Sequence, residues 1–273
     1  MKIFKHLRPL NHYSNDEVTI MTKKIEKYYE EVDDYPANAI ETKHTKQWEK
    51  MIPEILNQLN YKKKIKILEI GAAKTGFYNF LKKKKLHKKT SFAVQDINKR
   101  NKKWYIKNKI RKKYFFDINK INEKFDIIFS TYVLEHVVKP RNFLIKQIKM
   151  LNKKGSIFIF CPRYDFPLYL NPSSRHFSLR IKIILIFLHI YYRASTLIFK
   201  TNHFLIQNDL AVFYRPFYDD ADSMHWVSKF ELESFFKNFG LQISNLSIKS
   251  NKKFSKDWII KKYLSCSLKI TKS

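Results

Sequence analysis

The chain has 273 residues, of which 44% are hydrophobic and 16% aromatic, so its composition excludes global disorder and suits one sizeable domain. Its formal net charge of +30 leaves two interpretations: an anionic partner (RNA, an acidic glycan or an anionic membrane surface), or, as we favour, a lysine-rich solvated surface. The two cysteines, Cys161 and Cys266, exclude a disulfide framework and a cysteine metal site, and we expect a reducing, cytoplasmic compartment.

The first 44 residues are polar, and we interpret residues 1–44 as an irregular N-terminal extension without a signal peptide. It contains an acidic pair, Asp33 and Asp34, and it either covers a pocket or packs on the surface. Apolar residues then recur at helical spacing over residues 45–59, which predicts a helix that begins or kinks at Pro53.

A strand, a tight turn and a helix follow in the next segment. Residues 65–70 form an apolar strand pattern, Gly71 and Gly76 bracket the turn, and residues 77–86 read as a helix. The helix would direct its unpaired N–H groups into the turn. This geometry predicts a nucleotide-type pocket at the carboxyl end of a parallel strand.

Two further predicted strands end in an acidic residue, residues 91–96 at Asp96 and residues 113–117 at Asp117. Asp96 follows Gly76 by 20 residues, where nucleotide-binding units place the acid that binds the ribose hydroxyls. The alternative for Asp96 is an ordinary cap of the next helix.

Apolar strands alternate with helices over the following stretch. Residues 125–130 and 156–160 read as strands, and a helix begins at about Pro140 and ends before Gly155. After a late helix that ends at Gly240, two antiparallel strands over about 241–248 and 263–270 would close the sheet. The pattern predicts an α/β fold with a mostly parallel sheet covered on both faces.

Six short blocks in this order carry a resemblance to a known family. They are residues 67–71 (ILEIG), 94–96 (VQD), 116–117 (FD), 125–130 (FDIIFS), 134–137 (LEHV) and 151–156 (LNKKGS). In order and spacing the chain resembles the class I S-adenosylmethionine-dependent methyltransferases. The resemblance implies a three-layer Rossmann-like fold with a seven-stranded sheet whose last strand is antiparallel, and a helical insert after the fifth strand.

The resemblance also implies S-adenosylmethionine as cofactor, no metal, and a set of cofactor-binding positions. That set is Glu69, Gly71, Ala73, Gly76, Asp96, Ile97, Asp117, Ile118, Ser130 and Thr131. Glu69 and the turn would wrap the methionine part of the cofactor. Asp96 would bind its ribose, and Asp117 would contact its adenine amino group. Ser130 and Thr131 would lie on the floor of the site.

One departure from the family pattern concerns the turn. Ala73 and Thr75 stand where the family usually has its second and third glycines, and Gly76 comes one residue late. Thr75 would place a β-branched side chain near the cofactor. The adenine slot would be supplied by Ile97, Ile118 and Val133, for which plain core packing is the alternative.

Domain bounds follow from these assignments, with residues 45–273 as the methyltransferase domain and an acceptor-side insert over about 163–227. Within the insert, Arg163, Arg175 and His176 would hold an anionic or hydroxylated acceptor, and surface polarity is an equal alternative.

Residues 179–200 are unusually apolar. As a helix they would align Lys182, His189, Arg193 and Lys200 on one narrow stripe. We favour packing of the wide apolar face within the protein, and a dimer face or an interfacial membrane helix are the alternatives. The basic groups argue against a spanning helix, and two short strands are also compatible with the β-branched content.

Three histidines, His225, His136 and His176, are candidate bases for removing a proton from an acceptor. His225, which follows an acidic stretch over residues 219–222, is preferred. Each of the three is equally compatible with a structural role.

The sequence therefore predicts a basic, cytoplasmic methyltransferase of the S-adenosylmethionine-dependent type. We expect a small-molecule, glycan or lipid-linked acceptor, with peripheral membrane contact through residues 179–200 among the interpretations. The alternatives are an RNA methyltransferase, a non-catalytic methyltransferase-like binding domain and, less favoured, a NAD-binding oxidoreductase, whose loose glycine pattern the turn also satisfies.

Overall fold

The computed structural model describes residues 6–31, 44–108, 110, 113–166, 168–214, 220–246 and 260–272. The strands are β1 Leu7–Pro9, β2 Ile65–Ile70, β3 Thr90–Gln95, β4 Tyr114–Phe115, β5 Phe125–Thr131, β6 Leu151–Pro162, β7 Leu205–Gln207, β8 Gln242–Asn245 and β9 Ser265–Thr271. The helices are α1 Asn15–Glu31, α2 Thr45–Glu49, α3 Ile52–Tyr61, α4 Phe77–Lys83, α5 Lys102–Lys107, α6 Pro140–Met150, α7 Leu179–Phe199 and α8 Lys229–Asn238.

Seven of these strands form one sheet, in the order β4-β3-β2-β5-β6-β9-β8. The pairs from β4 to β6 are parallel, whereas β9 runs antiparallel to both of its neighbours. The predicted fold class, a mostly parallel seven-stranded sheet with an antiparallel last strand and a helical insert after the fifth strand of the sheet, is confirmed.

The sheet is buried on both faces because its central strands are apolar at successive positions. Along β2, Ile65 and Ile67 pack in one hydrophobic cluster, while Leu68 and Ile70 pack in another. Alternate side chains of a strand point to opposite faces, so the two clusters are the two cores of a three-layer fold.

The N-terminal extension differs from its prediction as an irregular segment. Residues 15–31 form the helix α1, and β1 pairs antiparallel with β7 from the insert, with Leu7 opposite Gln207. Ser14 and Glu17 form a reciprocal capping box at the start of α1. The acidic pair at residues 33–34 lies outside the described residues.

The bounds of two predicted elements also differ from those in the structure. The helix predicted over residues 45–59 is two helices, α2 and α3, because Pro53 cannot continue a helix and starts a new one at its second position. Strand β6 begins at Leu151, so Gly155 lies within it. A Cβ there would come within 2.8 Å of Leu151 Cδ1 and 3.0 Å of the Asp126 carbonyl, which explains the glycine as a close-approach position.

Residues 179–199 form one helix, α7, as predicted, and not two strands. Its orientation differs from the favoured prediction, in which the wide apolar face packs within the protein. His189 and Arg193, members of the expected basic stripe, are buried. Nη1 of Arg193 lies 3.1 Å from Oε2 of Glu231, and its Nε lies 3.7 Å from Oδ1 of Asp165. Two buried carboxylates therefore draw the middle of the basic stripe inward, whereas Lys182 is half-buried, Lys200 is exposed and much of the apolar side faces out.

We expect Arg193→Ala to lower the free energy of unfolding by about 3–5 kcal/mol, because the substitution leaves the buried Glu231 carboxylate without its counter-charge and removes one of the two arginines beside Asp165. Urea denaturation followed by circular dichroism measures this. Arg180→Ala, which removes an exposed arginine from the same helix, is the matched control and should change stability by no more than about 0.5 kcal/mol. Equal effects of the two substitutions would contradict the prediction.

Candidate active site

A cleft of about 490 Å³ lies at the carboxyl ends of β2, β3 and β5. Its wall comprises Thr22, Ile25, Glu26, Tyr29, Gly71, Ala73, Gln95, Asp96, Ile97, Asn98, Asn101, Ile118, Asn119, Tyr132, Val133, His136, Val137, Val138, Lys139, Asn142, Phe143 and Lys146. Four of these residues come from α1, so the N-terminal extension covers the cleft, which was one of its two predicted roles.

The Asp96 carboxylate organises one end of the cleft. Oδ2 accepts a hydrogen bond of 2.6 Å from the backbone N–H of Ala73, and Oδ1 accepts one of 2.7 Å from the backbone N–H of Asn98. One buried side chain thus joins the turn after β2 to the loop after β3. Asp96 does not cap the next helix, which was the alternative for this residue, because Asn98 is the N-cap there; Asp96 lies in the cleft wall, where a ligand hydroxyl would meet it.

Gly71 starts the turn with a φ of +65°, a conformation that favours glycine. A Cβ on this residue would lie 2.3 Å from Cγ2 of Val133, which belongs to the loop after β5. The turn backbone and Val133 are therefore in direct contact. Together they close the floor of the cleft.

Thr75 does not obstruct the turn. It is buried, its Oγ1 donates a hydrogen bond of 2.7 Å to Oε2 of Glu69, and the same Oγ1 accepts from the backbone N–H of Phe77 at 3.0 Å. The threonine thus ties the strand-end carboxylate to the first turn of α4. Gly76 is the N-cap residue of that helix.

Two carboxyl groups at this end have raised pKa values. Burial and the nearby Asp96 carboxyl together raise the pKa of Glu69 to about 8, although the hydrogen bond from Thr75 lowers it. Burial also raises the pKa of Asp96 to about 6, although the N–H groups of Asn98 and Ala73 favour its ionised form. A cationic or hydroxyl-bearing ligand would supply the partners that water no longer provides.

The predicted adenine slot is assembled, since Ile97, Ile118 and Val133 all belong to the cleft wall. Asp117 lies just before that wall, and its Oδ1 accepts a hydrogen bond of 2.8 Å from the backbone N–H of Asn119. Ser130 is buried at the end of β5 and, like Glu69, Gly76, Asp117 and Thr131, is not part of the wall.

The opposite end of the cleft contains a histidine held by carboxylates. Nδ1 of His136 lies 3.1 Å from Oδ2 of Asp222, and that same oxygen accepts a hydrogen bond from the hydroxyl of Tyr29 on α1. The Nε2 atom lies 3.9 Å from Oε1 of Glu135 and 4.0 Å from Oδ1 of Asp220, distances too long for hydrogen bonds.

The charges of this group are set by its burial and mutual proximity. Burial lowers the pKa of His136, but the carboxylates of Asp222, Glu135 and Asp220 outweigh burial and raise it to about 10. Burial raises the pKa of Glu135 to about 8, against the effect of His136. At neutral pH the group is an imidazolium paired with Asp222, beside a protonated Glu135.

A metal ion is the alternative source of positive charge here, because ligand atoms of Glu135, His136 and Asp220 all lie within 4.8 Å of one another. The imidazolium already compensates the Asp222 carboxylate, so the group needs no ion for balance. The sequence expectation of no metal remains a prediction.

The other candidate bases lie elsewhere. His225, the preferred candidate, is buried with Nδ1 3.1 Å from the carbonyl of Leu134, and burial lowers its pKa to about 3, so its ring is neutral and is not part of the cleft wall. His176 contacts the Ser173 carbonyl outside the wall. Of the three candidate bases, His136 is therefore the one in the wall of this cleft.

The insert residues predicted to hold the acceptor are also outside the wall. Nε of Arg163 donates to Oδ2 of Asp165, and Arg175 is exposed beside His176. Sequence reasoning missed Tyr29 as a member of the site, and it did not single out Asp222 within the acidic stretch over residues 219–222. No spacing signal could reveal them, because Tyr29 is separated from Asp222 by 193 residues and only the fold brings them together.

A family profile described as "Methyltransferase domain" matches residues 42–246, whereas no curated protein sequence matches the chain. Among solved structures, the plantazolicin methyltransferase BpumL in complex with a triazolic desmethylPZN analog and SAH has a TM-score of 0.55 at 11% identity, covering 94% of this chain and 98% of that one.

Two further structures are similar at the level of fold. A S-adenosylmethionine-dependent methyltransferase from Clostridium acetobutylicum ATCC 824 has a TM-score of 0.50 at 12% identity, covering 92% of this chain and 99% of that one. The CurJ carbon methyltransferase has a TM-score of 0.50 at 13% identity, and the match covers 94% of this chain and 59% of that one. At these identities the structures show the shared fold.

We expect Gly71→Ala to weaken S-adenosylmethionine binding at least tenfold and to destabilise the fold by about 1–3 kcal/mol, because it combines a strained φ with a collision against Val133. Isothermal titration calorimetry and thermal unfolding measure the two effects. Gly240→Ala is the matched control: its φ is +69°, but nothing lies within 4 Å of the added Cβ. Gly240→Ala should lower the stability of the fold without weakening cofactor binding. Normal binding by Gly71→Ala would refute the prediction.

We expect the affinity for S-adenosylmethionine to rise between pH 5.5 and 8.5. A cationic ligand favours ionised carboxylates, and raised pKa values of about 6 and 8 keep Asp96 and Glu69 partly protonated in the free protein. Calorimetry in buffers of different ionisation enthalpy should show proton release on binding. Glu69→Gln should remove the upper part of the pH dependence, whereas the exposed Glu49→Gln should retain all of it; an unchanged profile in Glu69→Gln would contradict this assignment.

Proposed function

This chain belongs to the methyltransferase-domain family, and from that premise we propose that it methylates an acceptor oxygen that is already ionised when it binds. Family membership confirms the predicted enzyme class and cofactor, so the protein is an S-adenosylmethionine-dependent methyltransferase, and the non-catalytic and NAD-dependent alternatives fall away. The observation that carries the proposal is the His136–Asp222 pair in the wall of the cleft.

The cleft residues fit the cofactor. Asp96 presents a buried carboxylate at the wall, where a ligand hydroxyl would meet it. Glu69 is outside the wall at the end of β2, and burial has raised its pKa, so a cation bound in the cleft would favour its ionised form. The side chains of Ile97 and Ile118 offer an apolar surface for a flat base. When bound, S-adenosylmethionine supplies an electrophilic methyl carbon on a sulfonium.

The chain's own contribution to catalysis is alignment and charge. Asp222 holds Nδ1 of His136, and Tyr29 holds Asp222, so the ring orientation is set by two successive hydrogen-bonding groups. Because His136 is already protonated at neutral pH, it cannot remove an acceptor proton there. The buried imidazolium instead supplies positive charge in the cleft wall beside an anionic acceptor group.

An acceptor that arrives ionised needs no base. A carboxylate or an acidic hydroxyl would form the new C–O bond as the C–S bond breaks, and its negative charge would be neutralised by the transferred methyl group. We favour a small metabolite, glycan or lipid-linked molecule with such a group, because α1 covers the cleft and limits its size. The net charge of +30 is the one feature that favours RNA.

A cytoplasmic location is part of the same proposal. Cys161 and Cys266 are buried directly opposite each other on β6 and β9 and are free thiols, which suits a reducing compartment.

The acceptor class can be tested with radiolabelled S-adenosylmethionine and separate pools of acidic metabolites, glycans, lipid extract and total RNA. We expect label to enter a non-RNA pool and to form a base-labile ester or an aryl ether. Asp96→Ala is the control for cofactor-dependent transfer. Label in the RNA pool alone, or on nitrogen, would overturn the proposal.

We expect His136→Ala to lower kcat/KM by about 100-fold or more, because a fixed positive charge beside the acceptor is lost, while cofactor affinity stays within about twofold. An NMR titration of the ring should show a midpoint near pH 10, and Asp222→Asn should lower it, because it keeps the shape but removes the charge. Activity should fall as pH rises through about 10; a rise toward pH 10 would indicate a general base and contradict this role.

A further inference from the structure

The outer side of helix α7 is an exposed apolar surface. Its exposed residues are Leu179, Arg180, Ile183, Phe187, Ile190, Tyr191, Ala194, Leu197, Ile198 and Phe199, and all but Arg180 are apolar or aromatic. The largest are far from buried, with exposed fractions of 68% at Phe187, 69% at Ile198 and 70% at Phe199. Contiguous exposed apolar side chains of this kind mark an interaction surface.

The two ends of this surface, which we call the α7 outer face, carry basic residues. Between Asp165 and Asp209 the sequence contains no acidic residue, whereas Arg175, Arg180 and Lys200 are all exposed around the helix ends. Lys182 lies beside them, with its Nζ donating to the carbonyl of Arg175. A partner with an apolar interior and an anionic rim would match both features.

A second copy of the chain fits the α7 outer face poorly. Each copy carries a formal net charge of +30, and the rim of the face is basic, so two such faces would bring like charges together. An anionic bilayer surface attracts the same residues.

The helix is long and apolar enough to cross a bilayer, but its inner side is fastened to the protein. Arg193 lies in the buried pairs with Glu231 and Asp165, and Nη2 of Arg193 donates to the carbonyl of Trp226. A spanning orientation would break these contacts and move a charged side chain into hydrocarbon. Insertion of one face, parallel to the membrane plane, breaks none of them.

We propose that the α7 outer face docks the enzyme on anionic phospholipid membranes as an interfacial helix. The apolar side chains enter the headgroup–acyl boundary, and the flanking arginine and lysine residues contact lipid phosphates. This inference does not depend on the acceptor, because docking needs only the exposed helix.

Vesicle sedimentation tests the proposal. Full-length protein is mixed with phosphatidylcholine vesicles that contain either none or about one third phosphatidylglycerol. We expect at least tenfold stronger binding to the anionic vesicles, weakened but not abolished by added salt, since screening removes the charge attraction and leaves apolar insertion.

The decisive variant is Phe187→Glu/Ile198→Glu, which should reduce binding to anionic vesicles at least tenfold. Leu56→Glu/Ile106→Glu is the matched control, because it also introduces two carboxylates at exposed apolar positions, on α3 and α5. Cofactor affinity and thermal unfolding should be the same in both variants. This separates loss of docking from loss of fold or of the methyltransferase function.

Three results would overturn the proposal. The first is no preference for anionic vesicles, and the second is equal loss of binding in the two double variants, which would indicate charge alone. The third is a dimer in sedimentation equilibrium that Phe187→Glu/Ile198→Glu dissociates, which would assign the α7 outer face to a second copy.

Discussion

The hydrogen bonds of the Asp96 carboxylate are the constraint on which the cofactor end of the structure depends. One side chain accepts from the backbone N–H groups of Ala73 and Asn98, and so fixes the ends of two neighbouring parallel strands relative to each other. Burial makes these bonds stronger and an unpaired oxygen more costly. Gly71 is needed in the same turn because its backbone contacts Val133 from a third strand. The turn after β2 and the loop after β3 are thus one unit.

The acceptor end is built by a different principle, in which segments remote in sequence meet at one ring. His136 follows the central strand β5, Asp222 belongs to the insert, and Tyr29 belongs to the N-terminal helix. Since burial opposes charge, the imidazolium is stable only because its carboxylate partner is buried with it. The extension and the insert therefore supply partners of the His136 ring as well as covering the cleft.

The same preference for paired buried charge explains the surface of the insert. Arg193 turns inward to meet Glu231 and Asp165, and this choice fixes the rotation of the whole helix α7. A rigid helix cannot bury every side, so aromatic and aliphatic residues such as Phe187 remain outside. A buried ion pair thereby produces an exposed apolar face with a basic rim. Docking on an anionic membrane is the consequence that we propose.

The sequence by itself determined the local elements and their family order: the strand–turn–helix at Gly71, the acid-terminated strands and the parallel sheet. These follow from apolar periodicity and turn chemistry, which act over a few residues. Tertiary structure alone decided that His136 rather than His225 enters the cleft, that Thr75 ties Glu69 to a helix, and that α7 shows its apolar side. Each of those outcomes depends on which carboxylate or backbone group meets a side chain across the fold, and such distances are not encoded in any spacing along the chain.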